Sequence, residues 1–216
     1  MTEQNYELMR RAMVASQLRT TGVNDPRVLA AMGAVPRERF VPAERRTTAY
    51  VETLVPLGHG RWLNTPMALG KLLVEAAPLP SDRAMVVGAA TGYAAAVLAM
   101  LVGSVVAVEE DPQLLAAAKV ALKDAAVNLV KGPLAKGHKR GAPYHLILID
   151  GAVETIPDAL VDQLADGGRL AAAVVEQGVQ RLAIGRKAGE AFGMIDFADV
   201  ASAPLPGFEP PRGFIF

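Results

Sequence analysis

The stretch that leaves fewest folds open to this chain runs from Ala84 to Glu109: an apolar run, a turn built on Gly88 and Gly92, a helical segment and a second apolar run. The rhythm continues downstream. The pattern predicts strands near Ala84 to Val87, Ser104 to Val108, Asn128 to Lys131, His145 to Ile149 and Arg169 to Val174, with helices near Tyr93 to Val102, Pro112 to Ala126 and Pro157 to Ala165. Alternating elements whose strands are apolar throughout imply a parallel sheet covered on both faces. Beyond Val175 two strand-like pieces, Gln180 to Ile184 and Met194 to Ala201, flank a gap holding Gly185, Gly189 and Gly193. They predict an antiparallel pair closing one edge of the sheet. Pro204 to Gly213 predict an extended tail ending in Phe214 to Phe216 and lying on the surface.

The amino-terminal part follows different rules. Tyr6, Met9, Met13 and Leu18 recur at helical spacing among Arg10, Arg11 and Arg19, which predicts an amphipathic helix ending near Thr20 to Gly22. Asp25-Pro26 then offers a capping side chain followed by a residue suited to the first helical position, so a second helix should present Val28, Leu29 and Met32. Thr65-Pro66 repeats that logic ahead of Leu69, Leu72 and Leu73. From Pro36 to Pro66 the prolines and glycines predict irregular structure. The expected organisation is a helical cap with a substrate-side loop over 1–80 and an α/β core over 81–216, together one structural domain.

Composition narrows the chemistry. Lys and Arg number 22, balanced by 22 Asp and Glu, so no excess of cations is available to neutralise a run of phosphates. Nucleic acid is not an expected partner. The chain has no Cys and only 3 His (His59, His138 and His145), which excludes disulfides, thiolate metal sites and a cysteine nucleophile and predicts no metal. The polar start lacks the apolar run of a secretory signal, and the most apolar stretch is broken by Gly88, Gly92 and Gly103. The expectation is a cytoplasmic protein with no membrane partner.

The turn Val86-Val87-Gly88-Ala89-Ala90-Thr91-Gly92-Tyr93 lies where open α/β sheets hold ligands, at the carboxyl ends of the strands. Gly88 and Gly92 permit a tight turn, and Ala90 stands at the middle position where a full G-x-G-x-G loop has glycine. By itself this describes either a ligand loop or an ordinary strand-to-helix connection. Glu109 ends the second strand at close to the about 20-residue offset at which an acid meets ribose hydroxyls. It reads as a ribose-binding carboxylate or as part of a solvated turn with Glu110 and Asp111, of which Asp111 caps the next helix. Trp62 and Tyr93 read as packing residues, His59 as exposed loop, His138 with Lys136, Lys139 and Arg140 as a solvated basic turn, and Asp162, Asp166 and Arg169 as surface charge.

Motifs along most of the chain resemble the protein-L-isoaspartate O-methyltransferase family. They include Val35-Pro36-Arg37, Phe40-Val41-Pro42, Ala49-Tyr50, Pro56-Leu57-Gly58, Thr91-Gly92-Tyr93, Ala142-Pro143-Tyr144, Ile156-Pro157 and Gly167-Gly168-Arg169-Leu170. Several positions depart from the usual pattern, as in a divergent bacterial branch. Val86 replaces an acid, Asn64 stands at the serine of the T-I-S-x-P segment (Trp62 to Pro66), Gly132-Pro133-Leu134 replaces G-D-G, and Asp150-Gly151-Ala152 replaces T-A-A.

The resemblance implies a class I S-adenosylmethionine-dependent methyltransferase fold, Rossmann-like, with a seven-stranded mostly parallel sheet, an antiparallel last strand and an amino-terminal helical cap. It implies methyl transfer from S-adenosylmethionine to the carboxylate of isoaspartyl residues in aged proteins, with S-adenosylhomocysteine as product. Such a carboxylate is ionised at neutral pH, so the reaction asks chiefly for alignment. The site residues it implies are Asn64 and Thr65 at the substrate, and Gly88, Ala89, Ala90, Gly92, Glu109, Gly132 and Asp150 at the cofactor. The partners are isoaspartyl peptides or damaged proteins, and the chain is a monomer or a homodimer. The alternative is a relative that keeps the fold and binds a peptide or protein without turnover; a nicotinamide-dependent reductase lacks its Tyr and Lys pair.

Overall fold

The computed structural model describes residues 5–209. Local capping sets most helix starts. Asn5 accepts from Leu8 N at the head of α1 (Tyr6–Ala12), which continues through a wide π turn over Met13–Leu18, burying Met13 and Leu18. Asp25 accepts from Arg27 N and Val28 N, with Pro26 opening α2 (Pro26–Ala34). The segment read as irregular contains a short hairpin, β1 (Val55–Gly58) and β2 (Arg61–Leu63), turned at His59-Gly60. Thr65 then accepts from Ala68 N to start α3 (Pro66–Ala76).

The core alternates as its apolar runs require: β3 (Arg83–Val87), α4 (Tyr93–Ala99), β4 (Ser104–Glu109), α5 (Pro112–Ala121), β5 (Val127–Lys131) and β6 (Tyr144–Val153). A single helical turn, α6 (Asp158–Val161), precedes β7 (Leu164–Glu176), β8 (Val179–Ala188) and β9 (Ala191–Asp199). The seven-stranded sheet has the order β5-β4-β3-β6-β7-β8-β9. Pairings from β5 to β7 are parallel; β7 with β8 and β8 with β9 are antiparallel, as the edge pattern predicts.

Both faces of the central strands are buried. Ala84, Val86, Ala107 and Leu148 pack under Leu73, Val97, Leu98 and Leu114 of α3, α4 and α5. Met85, Val87, Val108 and Ile149 face Leu134, Leu160, Leu205 and Phe208. No helix among the described residues is long and apolar enough to cross a membrane.

Four expectations need correction. The helix expected near Pro157 to Ala165 is only the turn Asp158–Val161, because Leu164 and Ala165 already belong to β7. The glycine gap between the last strands is strand on both sides of a tight turn at Gly189-Glu190: Gly185 pairs with Met194 and Gly193 with Arg186. A Cβ on Gly185 would lie 2.3 Å from the Phe192 ring, so the residue is small because an aromatic ring crosses it. Arg169 is not surface charge, since it pairs with the buried carboxylate of Asp82. The tail does not stay on the surface either. Ala203 O accepts from Ala152 N and Leu205 N donates to Ala152 O, which lays this segment beside the end of β6 and buries Leu205 and Phe208. Phe214 to Phe216 lie outside the described residues.

Candidate active site

The carboxyl ends of β3, β4 and β6 bring together the Gly88–Gly92 loop, Glu109 and Asp150. Gly88 N and Ala89 N both donate to Val108 O, which folds the loop back over β4. Ala90 sits at φ +48°, in the left-handed region that side chains disfavour, and its N–H donates to Glu109 Oε2 at 2.6 Å. Gly92 opens α4, and Thr91 donates its hydroxyl to Phe40 O at 2.6 Å, tying the loop to the cap. Gly132 N donates to Glu109 O, placing the β5 turn beside the same carboxylate residue.

Glu109 is fully buried rather than part of a solvated turn. A carboxylate out of water requires partners, and it has four. Oε1 accepts from Arg61 Nη1 at 2.8 Å, Glu110 N at 3.0 Å and Asp111 N at 3.1 Å; Oε2 takes Ala90 N. Arg61 reaches it from β2, is itself 5% exposed, and places Nη2 3.1 Å from Gly88 O. Sequence reading did not single out Arg61. Its signal was the period of two with Leu63, which puts both on the inward face of β2.

Asn64 and Thr65 are buried. The Thr65 hydroxyl caps α3, whereas the Asn64 amide bridges distant parts of the chain. Its Nδ2 donates to Asp150 Oδ1 at 2.8 Å, and its Oδ1 accepts from Ser202 Oγ at 2.9 Å and Ala203 N at 3.0 Å. Burial pushes the Asp150 carboxyl above its ordinary value, opposed by the Asn64 hydrogen bond and by the charges of Arg61 and Arg37.

Arg37, likewise not foreseen, runs beneath this group. It donates from Nε to Ala49 O at 2.6 Å, hydrogen-bonds Asn64 O, and stacks over the Tyr93 ring at 4.7 Å. Tyr93 therefore packs the loop, as expected.

The floor between the strand ends is covered by the tail. A Cβ on Gly88 would stand 2.7 Å from Leu205 Cδ1 and 3.2 Å from Arg61 Nη2; one on Gly151 would stand 2.9 Å from Leu205 Cβ. Leu205 passes close over both positions, and Gly88 also sits at φ +78°, a conformation that favours glycine. On the outer side of the loop, a cavity of about 260 Å³ is lined by Phe40, Leu57, His59, Thr91, Gln113 and Leu114 among others. His59 is exposed, as expected, with Nδ1 3.4 Å from Asp111 Oδ2. Among the described residues no three His, Asp or Glu side chains gather as a metal site would need.

The sequence profile of the protein-L-isoaspartate(D-aspartate) O-methyltransferase family matches residues 9–207. Protein-L-isoaspartate O-methyltransferase 1 of Rhodopseudomonas palustris is 37% identical over 210 residues, covering 95% of this chain and 86% of that protein. The Methylorubrum populi protein-L-isoaspartate O-methyltransferase is 38% identical over 199 residues, covering 91% and 94%. Among solved structures, a protein-L-isoaspartate O-methyltransferase superposes with a TM-score of 0.80 at 21% identity, over 92% of this chain and 66% of that one. A Plasmodium falciparum structure described as a protein-L-isoaspartate O-methyltransferase in complex with S-adenosyl-L-homocysteine gives 0.78 at 19% identity, over 94% and 99%. This sheet order, this amino-terminal cap and a match spanning nearly the whole chain agree: the chain belongs to the protein-L-isoaspartate(D-aspartate) O-methyltransferase family.

Proposed function

We propose that this chain transfers a methyl group from S-adenosylmethionine to the carboxylate of an isoaspartyl residue, the first step in repairing aged proteins. The observation that carries the reading is Glu109, a buried carboxylate at the end of β4 facing the backbone of the Gly88–Gly92 loop. Its chemistry suits a ribose, whose vicinal hydroxyls both donate and can share one carboxylate. Ala89, Ala90 and Gly132 would border the adenosyl group. Asp150, on the far side of the loop, would face the cationic end of the ligand.

The bound cofactor supplies an electrophilic methyl group on a positively charged sulfur. This chain's residues would hold and align. The substrate carboxylate is already ionised at neutral pH, so no side chain need take a proton from it. Asn64 and Thr65 would border the substrate side, Asn64 with amide donors suited to a carboxylate. Exclusion of water from this buried floor strengthens each charge-to-dipole contact. Residues 1–80 act in this reading as the substrate-side cap over a core of 81–216. The partner is a flexible segment of a damaged protein met in the cytoplasm, and the chain works as a monomer or a homodimer.

The test is methyl incorporation from labelled S-adenosylmethionine into an isoaspartyl peptide, with the matching aspartyl peptide as control. Incorporation into the isoaspartyl peptide alone supports the reading; none into either, from folded protein, defeats it. A second reading, a family member that binds a peptide without turnover, draws support from the cover that Arg61 and Leu205 make over the strand ends. It predicts peptide binding without methyl incorporation.

A further inference from the structure

We infer that Arg61 and Leu205 are internal competitors of the cofactor: they close the crevice in the resting chain and must leave before an adenosyl ligand can enter. The inference rests on the methyl-transfer reading above and adds the two residues that set cofactor affinity.

The carboxylate suited to the ribose has one oxygen, Oε1, taken up by three donors, while Oε2 accepts from Ala90 N. Of these four donors the only one contributed by a side chain is the Arg61 guanidinium. The three backbone donors hold Glu109 in position whether or not a ligand is present. Arg61 is the replaceable member. It reaches across from the β2 hairpin strand, and its two terminal nitrogens bind Glu109 and Gly88 O, one on each side of the floor a ligand would need.

Leu205 covers the rest of that floor. Its side chain stands over Gly88 and its Cβ over Gly151, both within what a methyl group would require. It is held there by two hydrogen bonds to Ala152, at 2.7 Å from Ala152 N to Ala203 O and 2.9 Å from Leu205 N to Ala152 O, and by Asn64 through Ser202 and Ala203. The arm and the plug therefore belong to different elements, a hairpin and the tail, and can be loosened separately. Any ligand that displaces Arg61 must replace its hydrogen bond to Glu109, so affinity is lowered by the cost of opening.

The experiment is calorimetric titration with S-adenosylhomocysteine of the wild-type chain, Arg61→Gln and Leu205→Ala, each first shown to be folded by circular dichroism. Leu205→Ala leaves the ion pair intact and so guards against a misfolded Arg61→Gln. Arg61→Gln is expected to bind about tenfold tighter than wild type or better, the scale of a hydrogen bond to a charged group, and Leu205→Ala about tenfold tighter through the apolar cover it removes. Trp62, the chain's one tryptophan, adjoins Arg61 on β2 and gives a second readout. Its fluorescence should shift as ligand saturates the wild-type chain and shift less in Arg61→Gln. Measurable wild-type binding that neither variant improves would overturn the inference while sparing the methyl-transfer reading. No binding by any of the three at millimolar ligand would overturn both.

Discussion

Replacing Glu109 with Gln should be among the most damaging isosteric changes available to this fold, and the cost can be worked from its contacts. The substitution keeps the size of the side chain and one oxygen. If that oxygen takes the Oε1 place, it retains Glu110 N and Asp111 N, but the new NH2 group confronts Ala90 N–H at a site now 2.6 Å deep in hydrogen-bond contact. Two donors face each other, which costs about 1–3 kcal/mol. Arg61, 5% exposed, also loses the charge that balances it. Breaking one side of a buried pair costs about 3–5 kcal/mol, a figure that already includes part of the first, so the expected total is about 4 kcal/mol. For a chain of this length that corresponds to a fall of about 8–16 °C in Tm. The decisive assay is a double-mutant cycle by urea unfolding with Arg61→Met. Removing both charges should recover about 2 kcal/mol relative to the sum of the single losses. A Glu109→Gln loss below about 1 kcal/mol, or strict additivity with Arg61→Met, would refute the description of this pair as buried and mutually dependent.

Two further changes test the site by its response to pH. The Asp150 carboxyl is raised by burial, so its contribution favours the fold below the unfolded value of 3.8 and is lost as pH rises through the higher folded value. Asp150→Asn keeps an acceptor for Asn64 Nδ2 and should melt above wild type at pH 7.5, with the advantage shrinking towards pH 4; an equal difference at both pH values would count against it. Asp111 is the reverse case. Hydrogen bonds from Leu114 N and Gln113 N lower its pKa, so its contribution is present above 3.8 and is lost as pH falls through the folded value. Asp111→Ala should cost about 1 kcal/mol at neutral pH, with Asp111→Asn nearly neutral, as urea midpoints would report.

What the sequence reveals here is local chemistry. Asp25-Pro26, Thr65-Pro66 and Asp111-Pro112 each announce a helix because cap and first residue are neighbours, and all three helices start there. The central strands are legible because burial on both faces leaves only apolar side chains. The boundaries of β8 and β9 are not, since Gly185 answers to a Phe192 ring on the neighbouring strand rather than to a turn. The site divides in the same way. Glu109 can be placed from its position at a strand end. Its partner Arg61 lies 48 residues away, and the Asn64 amide is engaged by residues 138 and 139 positions further on. No local pattern encodes those meetings; they exist only once the sheet has brought the hairpin and the tail to the same end.

The docking of the tail against Ala152 has a thermodynamic corollary. Residues 202–208 are held by hydrogen bonds to Asn64, Ala152, Thr155 and Gln180 and by the buried side chains of Ala203, Leu205 and Phe208, and they meet the seven-stranded sheet only at Ala152 of β6 and Gln180 of β8. This stretch can detach in a sub-global opening while the remaining backbone stays protected. The amide protons of Ala203 and Leu205 would then exchange with solvent deuterium far sooner than those of β3 or β4, so the cork over the strand ends lifts before the vessel beneath it opens.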